Sequence, residues 1–409
     1  MSSQTCENCG ADIGPGYPCP ECGHGPGEET SVSAGPERTD PIYRARTLVY
    51  GEEPTRASML FVTTAIIALV ATVAVFFTTP EFALLPLGGF LFLIAVGWVT
   101  YQAETARLVT LVATVVTVGI VLFITGFLFA EALPALREHG LELLTLPKED
   151  GEVRWFFFLE GFLPASDSAF NPAGGNFSLI AQIWATIVVT IIAGSVAGPL
   201  GLLGALFISE IASARLRAVI KPGVEILAGI PSIVYGFIGF TILNNFVQDA
   251  FLDQGASFLI AGIVVGVMAL PTVVSVAEDA LSAVPDSMGD GSVAVGATKW
   301  QTMKSISVPA AFSGISAAVI LGLGRAIGET MAVAAILAAG VGLANPLFDP
   351  LASSATLTGF IATSYGSARP SLLEVLFVAG VMLFTIVAGM SVVSQYIEKR
   401  VRSNLQGEA

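Results

Sequence analysis

The sequence predicts an all-α polytopic membrane protein with about eight transmembrane helices, and three observations carry that expectation. Of 409 residues, 54% are hydrophobic and 12% charged, where an ordinary soluble domain carries roughly 25% charge. Uncharged runs recur that are long enough to cross a hydrocarbon core of about 30 Å. Lysine and arginine concentrate in alternate loops between those runs.

The predicted spans cover 57–77, 82–101, 108–130, 183–208, 226–244, 258–277, 312–340 and 375–393. No short apolar segment with a small-residue cleavage site precedes the first, which is therefore expected to be a retained helix. With the N-terminus inside, eight crossings put thirteen of the eighteen basic residues on the cytoplasmic side: Arg38, Arg44, Arg46, Arg56, Arg107, Arg215, Arg217, Lys221, Lys299, Lys304, Lys399, Arg400 and Arg402. Arg137, Lys148, Arg154 and Arg369 fall outside, and Arg325 lies within a span. The positive-inside asymmetry predicts a multi-pass protein of the cell membrane with both termini cytoplasmic. The net charge of −14 argues against a nucleic-acid partner, and such acidity suits a high-salt habitat, where screening relieves the repulsion.

Ahead of the spans, Cys6, Cys9, Cys19 and Cys22 form two Cys-x-x-Cys-Gly knuckles and are all the cysteines present. Four thiolates at this spacing suit tetrahedral zinc, with Gly10 and Gly23 permitting tight turns. The alternative is two disulfides, which a reducing cytoplasm disfavours. The expected module, 1–25, is zinc-ribbon-like, and its metal structural because a four-cysteine site is closed. Residues 26–56 read as a flexible linker rich in Gly, Pro, Ser, Thr and Glu. Residues 57–105 read as an additional anchoring hairpin. A long external segment, 133–182, carries Trp155, Phe156, Phe157 and Phe158, either an interfacial anchor or part of a docking surface.

Span five contains Pro231 among Gly229, Gly236 and Gly239, which predicts a kink, either a hinge or a static bend. The stretch 286–315 is too patterned for a simple connector. Asp290–Val295 and Ala297–Ser305 can each form a short helix, with Gly296 turning between them and the second pointing towards Pro309. Within span seven, GLGRAIGETMAV sets Arg325 and Glu329 one helical turn apart, able to pair on one face amid Gly322, Gly324, Ala326 and Gly328. Charges at mid-membrane pair or face a pathway. The two readings are a structural ion pair and a place where an anion passes.

Gly296, Ile306 and Pro309 sit at the spacing of the EAA loop, the ATPase-docking elbow of ABC importer permeases, with Asp290-Gly291-Ser292 in place of Glu-Ala-Ala and Val308 in place of the usual leucine. The acid is kept, but Gly291 costs about 1 kcal/mol of helix propensity relative to alanine, which predicts a looser first arm. RAIGETMAV resembles the signature of PstC-type subunits of phosphate importers. EILAGIPSIVYGFIG (225–239) and GPLGLLGALFISEIA (198–212) resemble the same family. The resemblance spans about 108–396, implying a permease domain at 106–396 with a six-helix core and a cytoplasmic tail at 397–409.

What the resemblance implies is transport of inorganic phosphate, with a PstA-like second permease, two copies of a PstB-like ATPase and an external phosphate-binding protein as partners. Asp290, Gly296, Ile306 and Pro309 are then the coupling loop, and Arg325 and Glu329 line the pathway. Neither a phosphate-cradling Gly-x-x-x-x-Gly-Lys-Ser/Thr loop nor a hydrolytic constellation occurs in the sequence. The expectation is therefore a non-enzymatic subunit without catalytic residues and with no transport cofactor of its own. Import of sulfate or molybdate, and a membrane-bound phosphate-status sensor built on the zinc module, are the rival readings.

Overall fold

Helix is the only backbone form that satisfies its own polar groups while crossing lipid as a single segment, and helices account for nearly all of the described chain. The computed structural model describes residues 4–5, 12–13, 47–50, 55–145, 170–171, 176–251, 256–337, 340, 342–344 and 346–406. The four cysteines and Trp155–Phe158 lie outside them. Two short antiparallel ladders are present: β1 (Gln4–Thr5) with β2 (Asp12–Ile13), and β3 (Phe170–Asn171) with β4 (Asn176–Phe177).

Among the described residues six helices are long and apolar enough to cross a membrane, or eight if each of two bent pairs is one span. The eight match the predicted runs in order. Two compact units meet at Phe123–Ile124.

The first unit holds α1 (Arg56–Thr78), α2 (Leu84–Thr100) and the start of α3 (Gln102–His139). Thr55 caps α1, its Oγ1 accepting from Ser58 N at 3.1 Å. Proline at 80 opens the short 3-10 turn that reverses the chain between α1 and α2. Val62, Ala65 and Leu108 form the small core of this unit. Leu60, Phe77 and Phe92 point outward, as lipid-facing side chains do.

The second unit contains α4 (Ile180–Leu206), α5 (Ala214–Gly229), α6 (Ser232–Ile238), α7 (Asn245–Phe251) and α8 (Phe258–Ser282). It continues through α9 (Asp286–Ala294), α10 (Lys299–Thr302), α11 (Val308–Ala310), α12 (Phe312–Gly328), α13 (Met331–Ile336), α14 (Leu357–Ser364) and α15 (Pro370–Gln406). A π-helical stretch, Gly239–Asn244, joins α6 to α7. At Pro231, α5 and the α6–α7 segment meet at 86°. The expected kink is thus a near right angle, because proline cannot donate to the helix ladder and disfavours helical geometry in the residue before it.

The centre of this unit is α8 packed along α4, with Val189, Ala193, Val264, Val265 and Met268 buried between them and α13. Gly262 and Gly266 on α8 make the approach possible. A Cβ at Gly262 would stand 2.5 Å from Ile192 Cβ, and one at Gly266 would stand 2.9 Å from the Ala193 carbonyl oxygen. In lipid there is little hydrophobic drive between helices, so this backbone proximity supplies the association through dispersion. A second core joins Ala132 and Ala135 of α3 to Val375, Val378 and Ala379 of α15.

Span seven departs from expectation. The sequence predicts one helix over 312–340, but α12 ends at Gly328 and α13 begins at Met331. Glycines at 322, 324 and 328 weaken this stretch, and the Glu329 side chain bonds the backbone ahead of it, offering an alternative to the helix ladder.

Gly266→Ile tests the central packing. Overfilling a tight interface costs about 1–3 kcal/mol, so the purified variant should unfold at lower temperature than Gly324→Ile, whose added Cβ meets nothing within 4 Å. Equal thermal stability of the two variants would mean that the α4–α8 approach is not what holds the unit together.

Candidate translocation and coupling site

The break after α12 separates the two charges that the sequence places one turn apart. Glu329 is extended (φ −67°, ψ 125°) and its Oε1 accepts from the Ala332 backbone N–H at 3.1 Å. It therefore caps the first turn of α13, satisfying a donor that would otherwise be orphaned. Its carbonyl accepts from Thr358 Oγ1 at 2.8 Å, which fastens the break to α14. Arg325 forms no ion pair with Glu329. Its guanidinium is exposed and donates from Nη1 to Thr272 Oγ1 at 3.3 Å. The expected pairing on one helical face is thus corrected: the helix ends before the turn that would have brought the groups together.

Both ends of α13 are held by side chains. At its far end Asn244 Nδ2 donates to the Ile336 carbonyl at 3.2 Å, and Asn244 is buried. The π-helical insertion at Gly239–Asn244 shifts the helical phase locally, in the stretch that ends at Asn244. Neither Asn244 nor Thr272 was singled out from the sequence. A polar residue within an apolar span is the signal that marks both.

At the opposite end of α8 lies the elbow. Its first arm is α9, ending in Gly296 at φ +88°. Gly296 N–H bonds the Val293 carbonyl and Ala297 N–H bonds the Ser292 carbonyl, the paired bonds of a Schellman cap with glycine in the left-handed position. The second arm opens with a capping box, Thr298 with Gln301. It runs through α10, a π-helical turn at Met303–Ser307 containing the half-buried Ile306, and α11, where Pro309 sits in the first turn. The second arm and α12 meet at 74°.

The first arm is a formed helix despite Gly291. Ser292 Oγ lies 2.6 Å from Thr302 Oγ1 and pins the two arms together. The elbow turns large apolar groups to solvent: Val295 is 86% exposed and Trp300 63%. Asp290 is exposed and, with Glu210, Arg217, Asp286 and Lys299, lines a cleft of about 530 Å³ between the elbow, α5 and the end of α4. Lys299 Nζ donates to the Glu210 carbonyl at 2.6 Å, and Arg217 Nε to the Ile208 carbonyl at 2.9 Å. These cations neutralise freed carbonyls at a helix C-terminus.

Close by, Lys221 of α5 meets Glu278 of α8 at 2.5 Å.

Residues 191–403, more than half of the chain, match the family described as binding-protein-dependent transport system inner membrane component. The chain belongs to this family. The family and the permeases it resembles are components of transport systems and not enzymes. The chain is 30% identical over 326 residues to the probable phosphate transport system permease protein PstC of Methanocaldococcus jannaschii, covering 74% of this chain and 96% of that one. It is 41% identical over 205 residues to the probable ABC transporter permease protein YqgH of Bacillus subtilis. That match covers 48% of this chain and 65% of the relative, just under two thirds of its length. The phosphate transport system permease protein PstC of Xylella fastidiosa is 31% identical over 257 residues, 58% of this chain and 78% of its own. The family match takes in α5 through α14, the whole of the elbow and the break.

The capping geometry generates a test at Glu329. Glu329→Gln keeps an oxygen acceptor for Ala332 N–H, whereas Glu329→Leu removes it, and loss of such a cap costs about 1 kcal/mol. Thermal unfolding of the purified variants should therefore leave Gln near wild type and Leu clearly lower. Equal destabilisation by both would mean that the negative charge, not the acceptor, is what this position supplies.

Proposed function

We propose that this chain is the PstC-type permease subunit of an ATP-driven importer of inorganic phosphate, forming half of the translocation pathway. The observation that carries the reading is Arg325, an exposed guanidinium in a span-forming helix, bonded to a hydroxyl and, among the described residues, to no carboxylate. A charge held within an apolar helix costs roughly 2.5–3.5 kcal/mol on insertion scales and tends to mark a solute path. Arginine's planar fork suits a tetrahedral oxyanion. The names of the relatives point to the same solute.

Asp290, Gly296, Ile306 and Pro309 form the coupling elbow in this reading. Its exposed Val295 and Trp300 supply an apolar anchor and Asp290 a charge for a PstB-like ATPase, two copies of which serve this chain and a PstA-like partner permease. An external phosphate-binding protein delivers the solute. Both termini are cytoplasmic, and Cys6, Cys9, Cys19 and Cys22 bind one structural zinc.

Three measurements test the reading. With the four-component system reconstituted in vesicles, Arg325→Gln should lower phosphate uptake by about 100-fold or more, the scale of about 2.7 kcal/mol for a lost charge-assisted contact, while the assembled complex is recovered in normal yield. Wild-type uptake should resist competition by sulfate and molybdate. Undiminished uptake by Arg325→Gln would remove Arg325 from the pathway. For the N-terminal module, metal analysis of the reduced full-length protein should find one zinc per chain, lost in the Cys9→Ser, Cys22→Ser double variant, with the uptake rate kept. A chain free of zinc, or one in which the cysteines are disulfide-bonded, would refute the module as drawn.

A further inference from the structure

Helix α5 buries none of its residues, so little apolar packing fixes its position. Polar contacts along one face hold it instead. Arg217 and Lys221, four residues apart and hence on the same side, reach respectively the carbonyls at the end of α4 and the carboxylate of Glu278 on α8. Glu278 is itself buried, at 4% exposure, and both its oxygens are engaged: Oε2 with Lys221 Nζ, and Oε1 with Ser282 Oγ at 3.2 Å. Asp279 Oδ1 stands 3.5 Å from the same ammonium but is largely exposed, so the buried carboxylate is the stronger partner.

What lies on either side of this pair gives it significance. Glu278 is in the last turns of α8, and the elbow follows after Ala283–Pro285, a connection closed by Val284 N–H to the Leu281 carbonyl and Met288 N–H to the Pro285 carbonyl. From Lys221, α5 runs to the right-angled bend, which Tyr235 braces by donating its hydroxyl to the Leu227 carbonyl at 3.1 Å. Beyond the bend, α6 lies directly on α13. A Cβ at Gly236 would stand 2.8 Å from Ala332 Cα, and one at Gly239 would stand 2.6 Å from Ile336 Cδ1. Ala332 is the residue whose N–H Glu329 caps.

We propose that the Lys221–Glu278 pair is the strut through which displacement of the elbow reaches α6 and the break at Glu329. Both are positioning residues for transport: neither touches solute, and their effect passes through α5, the bend and α13. The assignment rests on the reading of the chain as a coupled permease.

The experiment uses the fully assembled complex, with spin labels on the exposed residues Phe237 of α6 and Tyr365 just beyond α14, and measures the label-to-label distance with and without ATP. In the wild type and in Lys221→Arg, ATP should shift the distance; in Lys221→Met the shift should be lost. Phosphate taken up per ATP hydrolysed should fall about tenfold in Lys221→Met, within the 5–150-fold scale of ordinary coupling free energies, and recover in Lys221→Arg. Lys221→Met strands a buried carboxylate, so Lys221→Met with Glu278→Leu is measured beside it: apolar replacement should restore the yield of complex but neither the distance shift nor the ratio. A shift that persists in Lys221→Met, a shift absent from the wild type, or ATPase and uptake that decline in proportion would overturn the strut. A wild type that shows the ATP-dependent shift but imports no phosphate would instead overturn the proposed solute and leave the strut standing.

Discussion

A helix interrupted in lipid must find new partners for the backbone groups it frees, because no water stands ready to take them. That requirement organises the second unit of this protein. Span seven stops at Gly328, and Glu329, Thr358 and Asn244 bond the backbone on either side of α13. The irregular segment before α14 is tied in the same way. Phe258 and Leu259 N–H at the start of α8 bond the carbonyls of Ala352 and Pro350, Leu357 N–H bonds Thr186 Oγ1, and Trp184 Nε1 bonds the Leu347 carbonyl. The links of this segment run to the long helices α4 and α8, so it is fixed in place and not merely tolerated.

Close packing supplies the frame on which these polar links act. Gly262 and Gly266 bring α8 against α4, and Gly236 brings α6 against α13. At such short range small residues gain dispersion from many backbone atoms at once. The helices that carry the break are therefore placed by glycines, while the break itself is shaped by a carboxylate, an amide and a hydroxyl. This division explains how Arg325 stays exposed: Glu329, the nearest acid in sequence, is already engaged with α13.

The elbow follows a related logic on the far side of α8. Its turn depends on Gly296 in the left-handed region, which other L-residues enter at a cost of about 1–2 kcal/mol. The arms that flank it are short and individually weak helices. The hydroxyl contact between Ser292 and Thr302 holds them as one body, and it comes from the position where the resembled loop carries alanine.

The sequence by itself determined the number and order of the apolar spans, the turn at Gly296, the bend at Pro231 and the family, because each follows from local chemistry: run length, a backbone preference, a fixed ring, a contiguous motif. Tertiary structure alone decided the partners. Arg325 and Glu329 at spacing four imply a pair only if the helix continues through them, and whether it continues depends on Thr358, 29 residues away, and Asn244, 85 residues back. Lys221 reads in sequence as one more inner-face cation, and Glu278 as the residue just past a span. They become a pair because α4 and α8 pack closely enough to bring α5 across the end of α8. Charge and span length are properties of a segment, whereas pairing depends on distances between segments that only packing sets.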